Sequence, residues 1–265
     1  MHTITITHSI VTLVTLKRSL VKNAFNDLLI EELTKAAIKL SKDPDVRVIV
    51  LTGAGDVFCA GADVHWMKSM INYSFEENKQ DSLKMAEMFK AIATSPKPWI
   101  ARVNGHAIGG GVGLVAACDL AVTIEDAKFG FTEARLGILP AVISPHVIPK
   151  IGVSYARRYF LTGELFNSKK ALELGLVHEV VPDPFALDEQ VEKLSSSLLK
   201  CSPNSIKGAK ELLARVPELS LDEATPYTVE MIASHRVSDE GQEGLRSFLE
   251  KRTPSWVSSL PSKWV

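Results

Sequence analysis

Polar and apolar residues alternate through "TITITHSIVTLVTL", and this period of two predicts two short strands that meet near His8 and Ser9. The pattern then changes. Asn26 and Asp27 offer caps ahead of "LLIEELTKAAIKLSKD", in which Leu29, Leu33, Ala36, Ala37 and Leu40 share one helical face. "VRVIVLTG" is almost wholly apolar and β-branched, as expected of a strand covered on both faces. "AGDVFCAGADV" reads as a loop, and a mostly polar, helix-prone segment runs from about Ser74 to Ala93.

The unit then repeats. "KPWIARVNG" reads as a strand, "GGGVGLVAAC" opens a helix near Gly111, and "LAVTIED" and "AKFGFTEA" supply two more short strands. Strands alternating with helices predict an α/β fold with parallel pairing. Past Cys201 the chain turns to helices with clear start signals. Ser202 with Pro203 marks one, Ser220 with Glu223 forms a capping box, and Asp239 with Gln242 offers another. Leu245, Phe248 and Leu249 fall on one face of the last helix, which packs either on its own domain or on another subunit.

Composition narrows the function classes. A chain of 265 residues fits one main domain plus an appendage, divided here as a core over residues 1–200 and a helical region over 201–265. Thirty basic and thirty-one acidic residues give a net charge of −1, which points to neither nucleic acid nor an anionic membrane. Cys59, Cys118 and Cys201 are too few and too widely spaced for a metal site or a disulfide framework. The first residues lack the basic start and long apolar run of a signal peptide, and no apolar stretch reaches the ~20 residues of a membrane span. A cytoplasmic protein is expected.

The densest local signal is "HAIGGGVGLVAACDL", with four glycines between Gly109 and Gly113. Glycines between strand and helix can permit close packing and nothing more. Gly111 to Ala116 also fits G-x-G-x-x-A, but the cluster lies mid-chain, "NGHAIG" separates it from the strand, and Glu133 does not sit at a strand end. A third reading is an anion hole. A helix start carries unpaired N–H groups and a partial positive charge, and bare glycines let a substrate oxygen reach them. "FCAGAD", after its own buried strand, is the candidate for a second donor.

At these residues the chain resembles a known family. "FCAGAD" after "VIVLTG", "ARVNGHAIGGGVGLVAACDLAV", "AKFGFTEARLGILP" and "YFLTGELFNSKKALELGLVHEVVP" resemble, in this order, the crotonase or enoyl-CoA hydratase/isomerase superfamily. The likeness extends to the terminal "SFLEKRTPSW". Within the family, "GADVHWMKSM" and "LPAVISPHVIPKIG" look most like bacterial methylglutaconyl-CoA hydratases. The resemblance implies a crotonase-like spiral of ββα units with a C-terminal helical region, assembled as a homotrimer or hexamer. It implies an acyl-CoA thioester substrate, with coenzyme A entering only as part of it, and no metal or redox cofactor. The oxyanion donors would be the N–H groups of Ala62 and Gly110. Backbone around Ala60, Ala62, Asp63, Val64 and Gly109 would meet the coenzyme A, Lys22 and Ala24 in "VKNAF" would border its nucleotide, and Phe248 and Lys251 would reach a neighbouring subunit's ligand.

Hydratases of the family commonly use two glutamates. The first matches Gly113 and is absent; the second matches Glu133 in "FTEARLG" and is present. Glu133 is therefore the expected acid/base in hydration of a short or branched enoyl-CoA, 3-methylglutaconyl-CoA among them. One carboxylate also suits an isomerase that shuttles a proton between two carbons, and losing the other is what a catalytically decayed binding paralogue would show. A distal carboxylate on the substrate would need a partner, for which His65, His146 and Arg135 are nearby in sequence. Cys59 reads as a small buried residue rather than a nucleophile, and Asp119 as structural.

Overall fold

The computed structural model describes residues 1–260; residues 261–265, the end of the expected C-terminal region, lie outside the described residues. The first hairpin pairs β1 (Ile4–Thr7) with β2 (Val11–Leu16), antiparallel, with Ile4 opposite Leu16. Helix α1 (Asp27–Lys42) follows, capped by the Asn26 side chain, which accepts from the Leu29 N–H. It buries all five residues foreseen on its apolar face.

Three similar units come next. In the first, β3 (Val48–Gly53), buried along its whole length, leads to β4 (Val57–Cys59), α2 (Val64–Met70) and α3 (Phe75–Ala93). In the second, β5 (Trp99–Val103) leads to β6 (His106–Ile108) and α4 (Gly110–Ala117). In the third, β7 (Leu120–Ile124) leads to β8 (Lys128–Gly130), a turn of 3-10 helix at Glu133–Leu136, and α5 (Ser144–Thr162). The chain continues through β9 (Leu165–Asn167), α6 (Ser168–Glu173), β10 (Glu179–Val181) and α7 (Pro184–Lys200). It closes with α8 (Pro203–Arg215), α9 (Leu221–Val237) and α10 (Asp239–Leu249).

Each unit thus places one strand in a large sheet and one in a small sheet. The large sheet runs β1-β2-β3-β5-β7-β10 and the small one β4-β6-β8-β9. From β2 to β10 the large sheet is parallel, as the alternation of strands and helices predicts. One of its faces builds the main core with α1, α3 and α4. Its other face, through Val11, Val48, Val50, Ile100 and Val122, is covered by Leu187, Val191 and Leu199 of α7. No helix among the described residues is long and apolar enough to cross a membrane.

Two local expectations are corrected, at "AGDVFCAGADV" and at the start of the last helix. "AGDVFCAGADV" is not a plain loop, because it holds β4 and the start of α2. "NGHAIG" holds β6. α4 begins at Gly110, in keeping with a helix expected to start near Gly111. The last helix is capped by Ser238, whose hydroxyl accepts from the Gly241 N–H, so Asp239 lies inside its first turn. The other two C-terminal start signals hold, Ser202 capping α8 and Ser220 with Glu223 forming the box on α9.

Polar groups tie the periphery to the core. The Asp119 carboxylate accepts from the Trp99 N–H at 2.7 Å and from Lys210 Nζ at 2.7 Å, fastening α8 to the start of β5. Arg47 donates to the carbonyls of Cys201 and Trp256 at 2.7 and 3.0 Å, and Arg252 grips Glu243 through two bonds of 2.7 and 2.8 Å. These contacts fold "KRTPSW" back along α10.

At the N-terminus, Glu32 accepts from the His2 N–H, the Thr3 N–H and the Thr3 hydroxyl at 2.7, 2.8 and 2.6 Å. Burial pushes this carboxyl up, but the three donors prevail and hold it at about 2 against an ordinary 4.5. Its folded pKa is depressed, so its stabilisation is complete above the unfolded value and is lost as pH falls from 4.5 toward about 2. Glu32→Gln should cost about 1–3 kcal/mol at neutral pH in denaturant titrations. The deficit against the parent should shrink across that acid window, and a pH-independent deficit would refute the account.

Candidate active site

The strands β4, β6 and β8 are parallel neighbours, with Cys59 opposite Ala107 and Ile108 opposite Gly130. Their C-terminal ends therefore lie side by side, where open parallel sheets place ligands. Residues 60–62 leave β4, Gly109 leaves β6, and Thr132 and Glu133 follow β8. All of them line one cavity of about 630 Å³. Its walls are mostly apolar, with Phe25, Trp66, Met67, Met70, Met85 and the loop from Leu136 to Ile143.

The Ala62 N–H is left unused by its local pairing for a definable reason. Phe25 and Ala62 form a single parallel bridge. Phe25 donates its N–H to Gly61 O at 2.7 Å, and the Asp63 N–H donates to Phe25 O at 2.9 Å. Those bonds engage the residues flanking Ala62 and leave its own N–H on the opposite side. Asp63 then starts α2, its carboxylate accepting from the His65 N–H at 2.7 Å.

Gly110, the other residue expected to donate, also lines the cavity. The Gly109 N–H donates to Gly130 O at 2.8 Å, and its φ of 53° turns the chain sharply into α4. The Gly110 N–H then belongs to the first helical turn, where α-helices leave donors unpaired. The other glycines divide between tasks. A Cβ on Gly110 would lie 2.6 Å from the Phe25 ring, and one on Gly111 would lie 2.3 Å from Cys59 O. Gly111 is therefore a packing residue, and only Gly109 and Gly110 shape the site.

Gly113 is likewise a packing residue. A Cβ there would lie 2.3 Å from Ile143 Cγ2 and 3.0 Å from Phe89. The ground that a longer residue would occupy is filled by an isoleucine from "AVISPHV" and a phenylalanine from α3.

Glu133 opens the 3-10 turn after β8, and its Oε1 lies 3.0 Å from where a Cβ on Gly109 would stand. A side chain at 109 would press against that carboxylate. Its Oε2 is buried and has no hydrogen-bond partner among the described residues. Burial pushes the carboxyl above the ordinary carboxylate value, offset in part by its own backbone N–H. The cavity's other carboxylate, Asp81 on α3, went unseen in the sequence. Burial and the neighbouring Asp27 push it upward too. Among the described residues, no Lys, Arg or His lines the cavity.

The remaining expected residues are distributed as follows. Ala60 and Val64 line the cavity, whereas Ala24, Asp63 and Lys22 are not part of its lining, with Lys22 at a φ of 53°. Phe248 and Lys251 lie on and just after α10, and Phe248 is 82% exposed. The structure does not bring the three suggested cations to the cavity. His146 packs at a tilt against Phe89, Arg135 rests on Gly163, and His65 is exposed on α2. Cys59 is buried and its thiol is pushed up to about 12, so it is no nucleophile.

Comparison with known proteins agrees with this architecture. A family profile described as enoyl-CoA hydratase/isomerase matches residues 6–259. The chain is 31% identical to the 2,3-dehydroadipyl-CoA hydratase of Escherichia coli K12, over 93% of its own length and 94% of that protein's. It is 31% identical to a crotonyl-CoA hydratase of Syntrophomonas wolfei, over 89% and 90% of the two chains. A crystal structure of an enoyl-CoA hydratase from Shewanella pealeana superimposes with a TM-score of 0.93 at 36% identity, covering 96% of both chains. The chain belongs to the enoyl-CoA hydratase/isomerase family and has the α/β crotonase fold.

The packing at Gly113 makes a prediction of its own. Gly113→Ala should destabilise the protein by about 1–3 kcal/mol, because the new methyl meets Ile143. Ile143→Ala in the same chain should recover part of that loss in a double-mutant cycle. Simple additivity of the two substitutions would show that Ile143 does not fill this position.

Proposed function

We propose that the chain is an enoyl-CoA hydratase that adds water across the 2,3 double bond of a short or branched enoyl thioester. Glu133 is its catalytic carboxylate, and the N–H groups of Ala62 and Gly110 are its oxyanion donors. One observation carries this reading: a buried, unpartnered carboxylate oxygen shares a single apolar cavity with the loops that hold both amides.

The chemistry follows from those parts. Glu133 takes a proton from water as the oxygen attacks C3. The displaced electron pair runs through the conjugated system to the thioester oxygen, where two N–H groups stabilise it. The enolate then takes the proton from Glu133 at C2, leaving hydroxyl on C3 and the carboxylate restored. The coenzyme A portion would run along the backbone of Ala60, Ala62, Asp63, Val64 and Gly109, with Lys22 and Ala24 near its nucleotide.

The exposed apolar residues of the C-terminal helices, Val237, Leu245, Phe248 and Leu249 among them, support assembly as a homotrimer or hexamer through the region 201–265. In such an assembly Phe248 and Lys251 would reach a second copy's ligand. For a chain with a distal carboxylate, such as 3-methylglutaconyl-CoA, Asn78 and Ser82 are the neutral polar groups on the α3 wall.

The filled space at Gly113 favours a second reading, an isomerase in which Glu133 alone moves a proton between C2 and C4 of a 3-enoyl-CoA. Product analysis separates the two. Crotonyl-CoA and 3-methylglutaconyl-CoA should yield 3-hydroxyacyl-CoA, and Glu133→Gln should lower that turnover by about 10²–10⁴-fold. An alkene shift from the 3-enoyl-CoA without hydration would establish the isomerase, and no turnover of any substrate would leave a binding paralogue.

The pH profile gives an independent check. Glu133 acts as a base only when ionised and its pKa is raised by burial, so kcat/KM should fall on the acid side along a limb above the ordinary carboxylate range. The residual activity of Glu133→Gln should lack that limb.

A further inference from the structure

The hydratase reading needs the Ala62 N–H held on target, yet the pairing that aims it is slight. Phe25 and Ala62 meet in an isolated bridge that no longer ladder extends. Two backbone bonds, Phe25 N–H to Gly61 O and Asp63 N–H to Phe25 O, form it, and only one more, Ala60 N–H to Lys22 O at 3.0 Å, joins the same two segments. A slip of one residue along this pair would turn the Ala62 N–H away from the cavity, because successive residues of extended chain face opposite sides.

One side chain spans that pairing. Arg18 Nη1 donates to Ala24 O, immediately before Phe25, and Arg18 Nη2 donates to Asp63 Oδ2 at 2.8 Å, immediately after Ala62. The ion pair is largely removed from solvent, with side-chain exposures of 17% for Arg18 and 5% for Asp63. A guanidinium presents its donors in a fixed plane, so binding both groups at once fixes their relative position. The arginine is itself anchored. Its N–H donates to Asn23 Oδ1 at 2.9 Å, and its carbonyl accepts from the Asn23 N–H at 2.9 Å. Fully buried Asn23 then donates to Ala54 O and Val57 O at 2.9 and 2.7 Å, binding this turn to the approach to β4.

Phe25 carries the same constraint to the other donor. Its ring lies 2.6 Å from where a Cβ on Gly110 would stand. A single residue therefore pairs with Ala62 through its backbone and backs Gly110 with its ring, so the register at Phe25 also sets the spacing of the two amides. We infer that Arg18 is a positioning residue for the oxyanion hole: its guanidinium locks the Phe25–Ala62 register that aims the Ala62 N–H into the cavity. Buried ion pairs often add little net stability, so geometry is the more economical role for this one.

This inference rests on the hydratase reading, and its test separates the two. Acetoacetyl-CoA forms an enolate that absorbs in the near ultraviolet, and the enolised fraction on the protein reports how well the two donors hold a negative thioester oxygen. Butyryl-CoA, which cannot enolise in this way, reports thioester binding alone. Arg18→Met should reduce enolate stabilisation and kcat by roughly 10–100-fold, with the butyryl-CoA Kd changed by less than about threefold. Arg18→Lys keeps the charge but loses the fork, and should fall between Met and the parent. Glu32→Gln, remote from the cavity, controls for lowered stability and should leave enolisation unchanged. If Arg18→Met does not fold, Arg18→Lys and Asp63→Asn carry the same comparison. Equal weakening of both ligands, or unchanged enolisation in the Arg18 variants, overturns the inference. A parent protein that neither hydrates nor enolises overturns the hydratase reading instead.

Discussion

Three strands of three residues each set the position of every group in the site. β4, β6 and β8 are adjacent and parallel, so the chain leaves all three at the same edge. The first exit carries Ala62, the second Gly109 and Gly110, and the third Glu133. None of these strands could stand alone, since a strand this short forms few ladder bonds. They persist because each is the second strand of a unit whose first strand lies in the large sheet, where β3, β5 and β7 are held on both faces. The core fixes the large sheet, the large sheet fixes the starts of the small one, and the small sheet fixes the chemistry.

That hierarchy explains which parts were legible from sequence. β2, β3 and α1 have lengths over which a period of 2 or 3.6, or an unbroken apolar run, can be recognised, and burial in the structure follows it. β4 and β6 do not, because three residues hold no period, and "VFC" or "HAI" between glycines looks like loop. Caps such as Asn26, Ser202 and Ser220 were readable because a short polar side chain before an apolar helix has a definite physical use. Ser238 was missed in favour of the next residue, Asp239, which also has a capping side chain. Glu133 itself came from motif resemblance, since its own sequence surroundings give no sign of burial. Asp81 carried no local signal at all: it sits in a polar, helix-prone stretch, and only the packing of α3 over the cavity turns it inward.

The glycine cluster shows how one motif can answer to several constraints. Gly109 is required by a left-handed backbone and by the carboxylate of Glu133 against it; Gly110 by the ring of Phe25; Gly111 by the backbone of Cys59; Gly113 by Ile143 and Phe89. From sequence these look like one feature with one purpose. In the fold, the helix is driven so close to β4 and α5 that most of its first turn has no room for side chains. The absence of an acid at position 113 is thus bound up with the identity of residue 143, and the two cannot be considered separately. A glutamate at 113 would displace apolar contacts and bury a charge beside them, where ionisation is costly.

A cavity lined, among the described residues, by two carboxylates and no cation looks poorly suited to stabilising an enolate. The charge balance of the proposed reaction removes the difficulty. When Glu133 accepts the proton of water it becomes neutral at the same moment that the thioester oxygen becomes negative. The cavity therefore holds the same charge throughout, and what changes is its place, from a carboxylate with an unpartnered buried oxygen to an oxygen facing two N–H dipoles. Burial that raises the pKa of Glu133 favours the first half of that transfer, because the neutral acid is the form that an apolar wall prefers. Fixed amides favour the second half without having to reorient. A lysine or arginine in the cavity would oppose this arrangement, holding Glu133 ionised and weakening it as a base. In the proposed reaction the apolar lining and the two amides would work as one device, its precision set by the register at Phe25 and Ala62.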